Sequence, residues 1–457
     1  MNQTESLFQC RHIFQSAMTA LGVFLTKEKI EEISDLIMEG LTEKWRNFHT
    51  FNHILMLTNT GDPLITLAGL FHDLVYLQID EKIIFNYTPY LNSFIIEKKD
   101  GFFIKSQLTY SDDCFSIVLK IFDVNLGDSL SQFKGQNEFL SALVAGKILQ
   151  PYLPLSLITR IITMIELTIP FRQTKDENET IPQQLQKRLE IVNQEFNLDL
   201  SQANIITTIC QAVKLANLDV SGFGTSNVQN FLKNTWLLLP ETNHCLYDSQ
   251  KYTIQDYRLA LENTNKFINF ISPNLVFHHY HNEPDLITFQ ELIKNCQNNL
   301  DISRLYLQIK LTSIALLEAL SLHFCPNIPL NFFWNVSNNA NFKYVSIFDF
   351  LPSILPYKPQ NNIEKIILDL LTFECQGNIF PDISHSLFTI FILNYISFET
   401  IVNYKSQCDS FFSRQLTPQD FLSLFPPSLI SIISSSIEQL LHQKQDSLRF
   451  LKHWENQ

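Results

Sequence analysis

Apolar residues recur at helical spacing along most of this chain. In residues 27–41 the isoleucines and leucines fall on one face and the acids on the other, and Thr26 precedes them as a helix N-cap. A helix predicted from Asp62-Pro63 through residue 76 is apolar nearly all round, so we expect it at the centre of a core. Further helices are predicted in the first 45 residues and at 51–58, 138–149, 155–167, 185–195, 203–216, 252–271, 286–300, 302–322, 363–373 and 428–451.

The pattern is interrupted in two places. Residues 78–135 mix aromatic, charged and amide side chains in short runs, which predicts an inserted segment or lid at about 79–135. After Ser272-Pro273 the composition shifts towards Leu, Ile, Phe, Asn and Ser. We therefore predict an all-α protein: a helical bundle with an insertion in residues 1–272, followed by a second helical domain in residues 273–457.

Composition narrows the possible functions. The hydrophobic fraction of 45% is enough for a full core, whereas Gly occurs only 11 times and no Gly-rich phosphate loop is present. The net charge of −13, without a run of Lys and Arg, makes a nucleic-acid duplex an unfavourable partner. Small phosphorylated substrates remain possible.

The eight cysteines are scattered and form no CxxC pair, which is typical of reduced thiols in a cytoplasmic protein. The first residues show neither the basic region nor the apolar region of a signal peptide. The longest uncharged apolar stretches, 383–398 and 422–437, are shorter than the roughly 20 residues that span a bilayer, so no membrane span is predicted.

Candidate chemistry begins in the stretch WRNFHTFNH at residues 45–53. His49 and His53 are four positions apart and would share one face of a helix. His72 and Asp73 follow at the end of the apolar helix, where both are costly to bury without partners. A divalent cation would remove that cost, and mixed imidazole and carboxylate ligands suit Mn, Fe or Zn better than Mg. A buried His donating to a carboxylate, without metal, is the alternative.

The order of these motifs resembles the HD superfamily of metal-dependent phosphohydrolases. R-x-F-H-T-x-x-H at residues 46–53 and L-A-G-L-F-H-D-L-V-Y at residues 67–76 are similar to a bacterial group of predicted HD phosphohydrolases. N-E-x-x-S-A, a motif of that group, occurs at residues 137–142, after the inserted segment. The ending D-x-D-L is represented by Asn217, Leu218 and Asp219, with Asn217 in place of the first acid. The resemblance covers residues 20–272, and the motif order is shared with cyclic-nucleotide phosphodiesterases.

The resemblance implies roles for seven residues of this chain. The metal ligands would be His53, His72, Asp73 and Asp219. His49 would protonate the leaving oxygen, Arg46 would face the phosphate, and Glu138 would orient the water or a ligand His. Because no His lies between Asp73 and Asp219, one metal ion is expected rather than two. The implied activity is hydrolysis of a small phosphoester or nucleotide.

Two other functions fit parts of the sequence. The HD-like domain could be an inactive or weakly active binding module, with residues 273–457 contacting a protein partner. Two His and one carboxylate also occur in non-haem iron oxygenases, although those sites commonly lie on β-barrel strands. The cluster His278, His279 and His281 is interpreted as part of a linker.

Overall fold

The fold is helical, as predicted, with one small two-stranded sheet among the described residues. The computed structural model describes residues 3–174, 178–248, 251–324, 328–334, 345–353, 357–374 and 382–454. The all-α prediction is confirmed, and this fold argues against the β-barrel setting of the oxygenase alternative.

Two compact units interleave along the chain. The first contains residues 1–242 and 271–299, and the second contains 243–270 and 300–457. The predicted boundary near residue 273 lies beside one of these crossings, but the division is not sequential. Residues 243–270 belong with the later part of the chain, because Arg258 pairs with Glu318 at 3.1 Å and the Tyr257 hydroxyl lies 3.2 Å from His385 Nδ1.

The first unit is a helical core with a small hairpin. Its helices are Gln3–Ala20, Lys27–Leu41, Phe51–Thr58, Pro63–Phe71, Leu77–Asp80, Thr88–Leu91, Asp113–Ile121, Gln136–Leu149, Leu155–Leu167, Ile181–Glu195, Gln202–Asp219 and Val228–Thr242. Strands Ile95–Lys98 and Gly101–Ile104 pair antiparallel, with Ile95 opposite Ile104. Thr26 caps its helix through its side-chain oxygen as predicted, and the Asp62 carboxylate caps the helix predicted to start at Asp62-Pro63. Helix Pro63–Phe71 is buried at every position after its proline, which confirms its central place.

The segment predicted as an insertion contributes to this core. Its helix Asp113–Ile121 packs against helices Gln136–Leu149 and Leu155–Leu167, and Phe115 and Ile117 are fully buried. The segment is therefore part of the packed unit, which periodicity alone did not predict.

The second unit is also helical. Its helices are Ile254–Phe270, the later part of Leu286–Phe324, Asn331–Trp334, Asn362–Glu374, Asp382–Leu393, Phe398–Asn403, Lys405–Phe412, Pro418–Leu422 and Pro427–Trp454. Residues 286–324 form one continuous helix where two were predicted.

This long helix is the one described helix with the length and apolar composition to cross a membrane, with an 18-residue window of mean hydropathy 1.4. That window is 83% buried inside the structure, as in core helices, so it is not a clear membrane span.

A buried ion-pair cluster joins three segments of the first unit. The fully buried Glu166 carboxylate lies 2.6 Å from Arg172 Nη1 and 2.8 Å from Arg188 Nη2. Burial opposes ionisation of Glu166, but the two guanidinium groups outweigh it and lower its pKa to about 2. The cluster therefore stabilises the fold above the ordinary carboxyl pKa, and that contribution is lost as the pH falls towards 2.

Replacing Glu166 with Gln is expected to lower the free energy of unfolding at pH 7 by about 3 kcal/mol, because two half-buried cations lose their counter-charge. The difference from the wild type should shrink between pH 4.5 and pH 2, since the wild-type carboxylate is then protonated too. Urea unfolding at several pH values measures this. Glu195→Gln, which removes the exposed ion pair with Lys120, is the control and should change little. A difference independent of pH would contradict the assignment.

Candidate metal centre

His53 lies at the start of a short helix, and His49 lies just before it. Helix Phe51–Thr58 begins after Thr50, so buried His53 is in its first turn and His49 is in the preceding loop. The prediction that both residues share one helical face is therefore wrong. The loop nevertheless places the two rings close together, with 6.0 Å between the ring centroids of His49 and His53.

His72 and Asp73 directly follow the buried helix Pro63–Phe71. His72 Nδ1 lies 2.9 Å from the carbonyl oxygen of Gly69, which can only accept, so Nδ1 carries a proton. In the neutral ring Nε2 therefore keeps its lone pair. This is the tautomer that a metal-ligating imidazole needs.

Asp219, the last residue of helix Gln202–Asp219, completes the cluster. Its Oδ1 lies 2.8 Å from His53 Nε2 and 3.4 Å from His72 Nε2, and Asp73 Oδ2 lies 3.0 Å from the same His72 nitrogen. One ligand atom from each of the four residues lies within 4.8 Å of the others. The structure thus brings together all four residues predicted as metal ligands.

The geometry of these atoms suits a shared cation. His72 Nε2 and Asp73 Oδ2 are close, yet they are buried without a correctly oriented hydrogen-bond partner among the described residues. Buried polar atoms in that state are costly, and a cation between them would satisfy both. Two imidazoles and two carboxylates form a donor set suited to Mn, Fe or Zn. Within the described ranges, no other group of His, Cys, Asp and Glu side chains is close enough to hold an ion.

The charged groups of the cluster shift one another's pKa values. Burial disfavours the charged forms, but the attraction between His72 and the two carboxylates is larger. It raises the pKa of His72 and lowers the pKa of Asp73, and it lowers the pKa of Asp219 to about 2. Both carboxylates are therefore ionised at neutral pH, as metal ligands must be.

The loop after His72 is held from both sides. Arg46 donates to the carbonyl oxygens of Asp73 at 2.6 Å and Leu74 at 3.2 Å. On the other side, the backbone amide of residue 75 donates to Ser141 Oγ at 3.0 Å. The backbone amide of residue 77 donates to Asn137 Oδ1 at 3.1 Å. The N-E-x-x-S-A motif therefore fixes the backbone that carries Asp73.

Arg46 was expected to face a phosphate, and the structure gives it different partners. Its guanidinium also pairs with Asp80 at 2.6 Å, and both side chains are almost completely buried, at 0% and 1% exposure. Its Nε, Nη1 and Nη2 atoms each have a partner within the protein. In this structure Arg46 holds the loop that carries Asp73, and its guanidinium is occupied by partners within the protein.

A second carboxylate holds His49. Glu241 Oε2 lies 3.0 Å from His49 Nδ1, and Glu241 Oε1 accepts the backbone amides of Asn47 and His49 at 3.1 and 3.2 Å. Burial disfavours the imidazolium, but the fully buried Glu241 outweighs this effect and raises the pKa of His49. Glu241 was missed because it lies near the end of helix Val228–Thr242, a helix that the sequence pattern did not predict.

Two further side chains border the cluster. The Tyr76 ring packs edge-on to His49 with centroids 4.5 Å apart, and the charges of Asp73, Asp219, Glu138 and Glu241 all act on it. Burial raises the pKa of Glu138 to about 7, and the charge of Asp73 acts in the same direction. Glu138 thus lies close enough for the charges of Asp73 and His72 to act on it, and its predicted role in orienting a water or a ligand His stays a prediction. Tyr76 is the terminal residue of the matched H-D-L-V-Y motif, although no role was predicted for it.

The structure also explains why position 217 holds Asn where the resembled motif has an acid. The Asn217 side-chain amide donates to the carbonyl oxygen of His278 at 2.8 Å and accepts the amide of His278 at 2.8 Å. An aspartate could accept but not donate here. His279 Nδ1 lies 3.1 Å from the carbonyl oxygen of Pro284, and its ring stacks on Phe289. The histidine cluster at 278–281 thus has structural contacts and no metal-site geometry.

Comparisons with known proteins do not assign this chain to a family. No protein-family model, no curated protein and no solved structure matches this chain.

Proposed function

We propose that this protein is an HD-type, metal-dependent phosphohydrolase that acts on a small phosphoester or nucleotide. The observation that carries the proposal is the buried group of two imidazoles and two carboxylates, with ligand atoms within 4.8 Å of one another, beside a carboxylate-bound histidine. A structural core rarely gathers so many ionisable groups, because each of them is costly to bury. The same combination is what metal-assisted phosphoester hydrolysis requires.

His53, His72, Asp73 and Asp219 would hold one divalent cation. When bound, such an ion lowers the pKa of a water molecule and polarises a phosphoryl oxygen. Glu138, with a pKa raised to about 7, can accept and release a proton near the cluster at neutral pH. We assign it to orienting the attacking water.

His49 would act at the leaving group. Glu241 binds Nδ1, so the other ring nitrogen, Nε2, is the atom available to a substrate oxygen. A proton delivered from Nε2 neutralises the leaving alkoxide, and Glu241 stabilises the protonated ring before the transfer. The neighbouring Tyr76 ring restricts the orientation of the imidazole. Arg46 would act indirectly, through the loop that carries Asp73.

The proposal is tested with His49→Ala and Glu241→Gln in metal-loaded, untagged protein. On a panel of aryl phosphomonoesters, phosphodiesters and nucleotides, His49→Ala should lower kcat by about 10²- to 10⁴-fold, the usual contribution of an acid catalyst. Glu241→Gln should lower kcat less. It should also move the alkaline limb of the pH–rate profile to lower pH, because Glu241 raises the pKa of His49 and the acid must be protonated.

Metal content and unfolding curves of both variants should match the wild type, and Glu195→Gln is the control for a surface acid. Equal turnover by His49→Ala and the wild type would contradict the role of His49. A metal-loaded wild type that hydrolyses no member of the panel would overturn the enzymatic proposal and favour the binding-module alternative.

A further inference from the structure

Tyr76 lies beside the candidate metal centre, and its hydroxyl is not engaged by the protein. Its ring packs edge-on to the His49 imidazole, with centroids 4.5 Å apart. The side chain is half-buried, and its hydroxyl has no hydrogen-bond partner among the described residues. Unlike His72 Nε2 and Asp73 Oδ2, the hydroxyl oxygen is not sealed from solvent. A tyrosine hydroxyl beside a buried site usually has a partner, so this one is available to a ligand.

The backbone around Tyr76, in contrast, is fixed on both sides. The amide before it and the amide after it donate to Ser141 Oγ at 3.0 Å and to Asn137 Oδ1 at 3.1 Å. The Tyr76 carbonyl oxygen accepts the amides of Ile79 at 3.1 Å and Asp80 at 2.9 Å. The side chain therefore extends from a rigid segment, and its hydroxyl is positioned before a ligand binds.

Four acidic side chains keep this hydroxyl protonated. Burial is the largest effect on Tyr76, and the charges of Asp73, Glu241, Glu138 and Asp219 act in the same direction. Together they raise the pKa of Tyr76 well above 10. At neutral pH Tyr76 is therefore a neutral group that can donate a hydrogen bond, and it adds no negative charge to an acidic site.

A phosphoryl group at this centre needs hydrogen-bond donors, because its oxygens carry negative charge. The charges of Arg46 and Arg172 act on side chains of the centre, so both arginines are candidates. Both guanidinium groups are already bound to buried carboxylates, at 2.6 Å from Asp80 and 2.6 Å from Glu166. The Tyr76 hydroxyl, by contrast, can donate without breaking a contact of the folded protein.

We propose that Tyr76 is a further catalytic residue, whose hydroxyl donates a hydrogen bond to a phosphoryl oxygen of the substrate. Its contact with His49 places this donor on the side of the leaving group. The hydrogen bond strengthens as negative charge develops on the oxygen, so it stabilises the transition state more than the bound substrate. Tyr76 keeps its proton throughout. This inference rests on the proposed function, because it requires a phosphoester at the candidate metal centre.

The test compares Tyr76→Phe with the wild type in untagged, metal-loaded, full-length protein. The variant keeps the ring, so its metal content and unfolding midpoint should match the wild type. Orthovanadate, a mimic of the five-coordinate phosphoryl transition state, should bind the variant about tenfold more weakly in calorimetric titration. For a substrate of the panel, kcat should fall by about 100-fold with little change in KM, as when one donor to a developing charge is lost. The alkaline limb of the pH–rate profile should not move, because the contact of His49 with Glu241 is untouched.

Tyr110→Phe is the matched control, because Tyr110 is an exposed tyrosine of the same unit whose ring packs against Phe94. It should change neither vanadate affinity nor kcat. Tyr76→Leu separates the ring from the hydroxyl: loss of activity in this variant alone, with Tyr76→Phe equal to the wild type, would overturn the role of the hydroxyl and leave the proposed function intact. A wild type that neither binds vanadate nor hydrolyses a phosphoester would overturn the proposed function, and this inference with it.

Discussion

Replacing Asp73 with Ala is expected to abolish stoichiometric binding of a divalent metal. Asp73 supplies one of four converging ligand atoms, and its Oδ2 is buried without a well-oriented hydrogen-bond partner in the described structure. Losing an outer-shell partner alone typically costs 10- to 100-fold in metal affinity, so we expect loss of a ligand to cost more than about 100-fold. His72→Ala should behave in the same way.

The measurement is metal content by mass spectrometry after reconstitution of untagged protein with Mn, Fe or Zn and dialysis. Wild-type protein should retain about one equivalent and should unfold at a higher temperature with metal than without it, because the ion binds only the folded state. Asp73→Ala should show neither effect. Asp35→Ala, which removes an exposed acid paired with Arg11, should retain both.

One alternative predicts a different result. If protonated His72, without metal, neutralises Asp73 and Asp219, the wild type will retain no ion after reconstitution. Asp73→Ala would then change stability but not metal content. Comparing the two measurements separates a metal centre from a buried ion-pair cluster.

The convergence of His53, His72, Asp73 and Asp219 was predictable because the sequence signal of each residue is local. Each of them lies in or beside a helix whose amphipathic or apolar pattern is clear, and the order of the motifs supplied the grouping. Glu241 gave no such signal, since its contact with His49 spans 192 positions and its helix carries an internal proline, Pro240. Local periodicity predicts elements, but it does not predict which distant side chains meet.

The same limit explains the differences in architecture. A break was predicted in helix Leu286–Phe324 at the polar residues around 300, but buried Asn299 donates to the carbonyl oxygens of Phe223 and Thr225 and so is accommodated within the helix. The interleaved units likewise depend on long-range pairs such as Arg258 with Glu318. These contacts satisfy buried polar groups whose partners the sequence pattern does not specify.

Replacing Arg46 with Met is expected to lower the free energy of unfolding by about 3–5 kcal/mol, the usual cost of breaking a buried ion pair. Asp80, with 1% of its side chain exposed, would be left as an uncompensated buried charge. The carbonyl oxygens of Asp73 and Leu74 would also lose their donors. Urea unfolding measures the change, and Arg11→Met, which removes the surface ion pairs with Glu31 and Asp35, should cost less than about 1 kcal/mol.

The double variant Arg46→Met with Asp80→Leu decides between two roles for Arg46. If Arg46 positions the loop, removing both charges should recover part of the lost stability, because no unpaired charge stays buried. Metal affinity should fall in Arg46→Met because Asp73 is less well held. If Arg46 binds substrate phosphate instead, its loss should raise KM or lower kcat while stability and metal affinity remain unchanged. The buried pair with Asp80 favours the first outcome, in which Arg46 holds the backbone of the loop that carries Asp73.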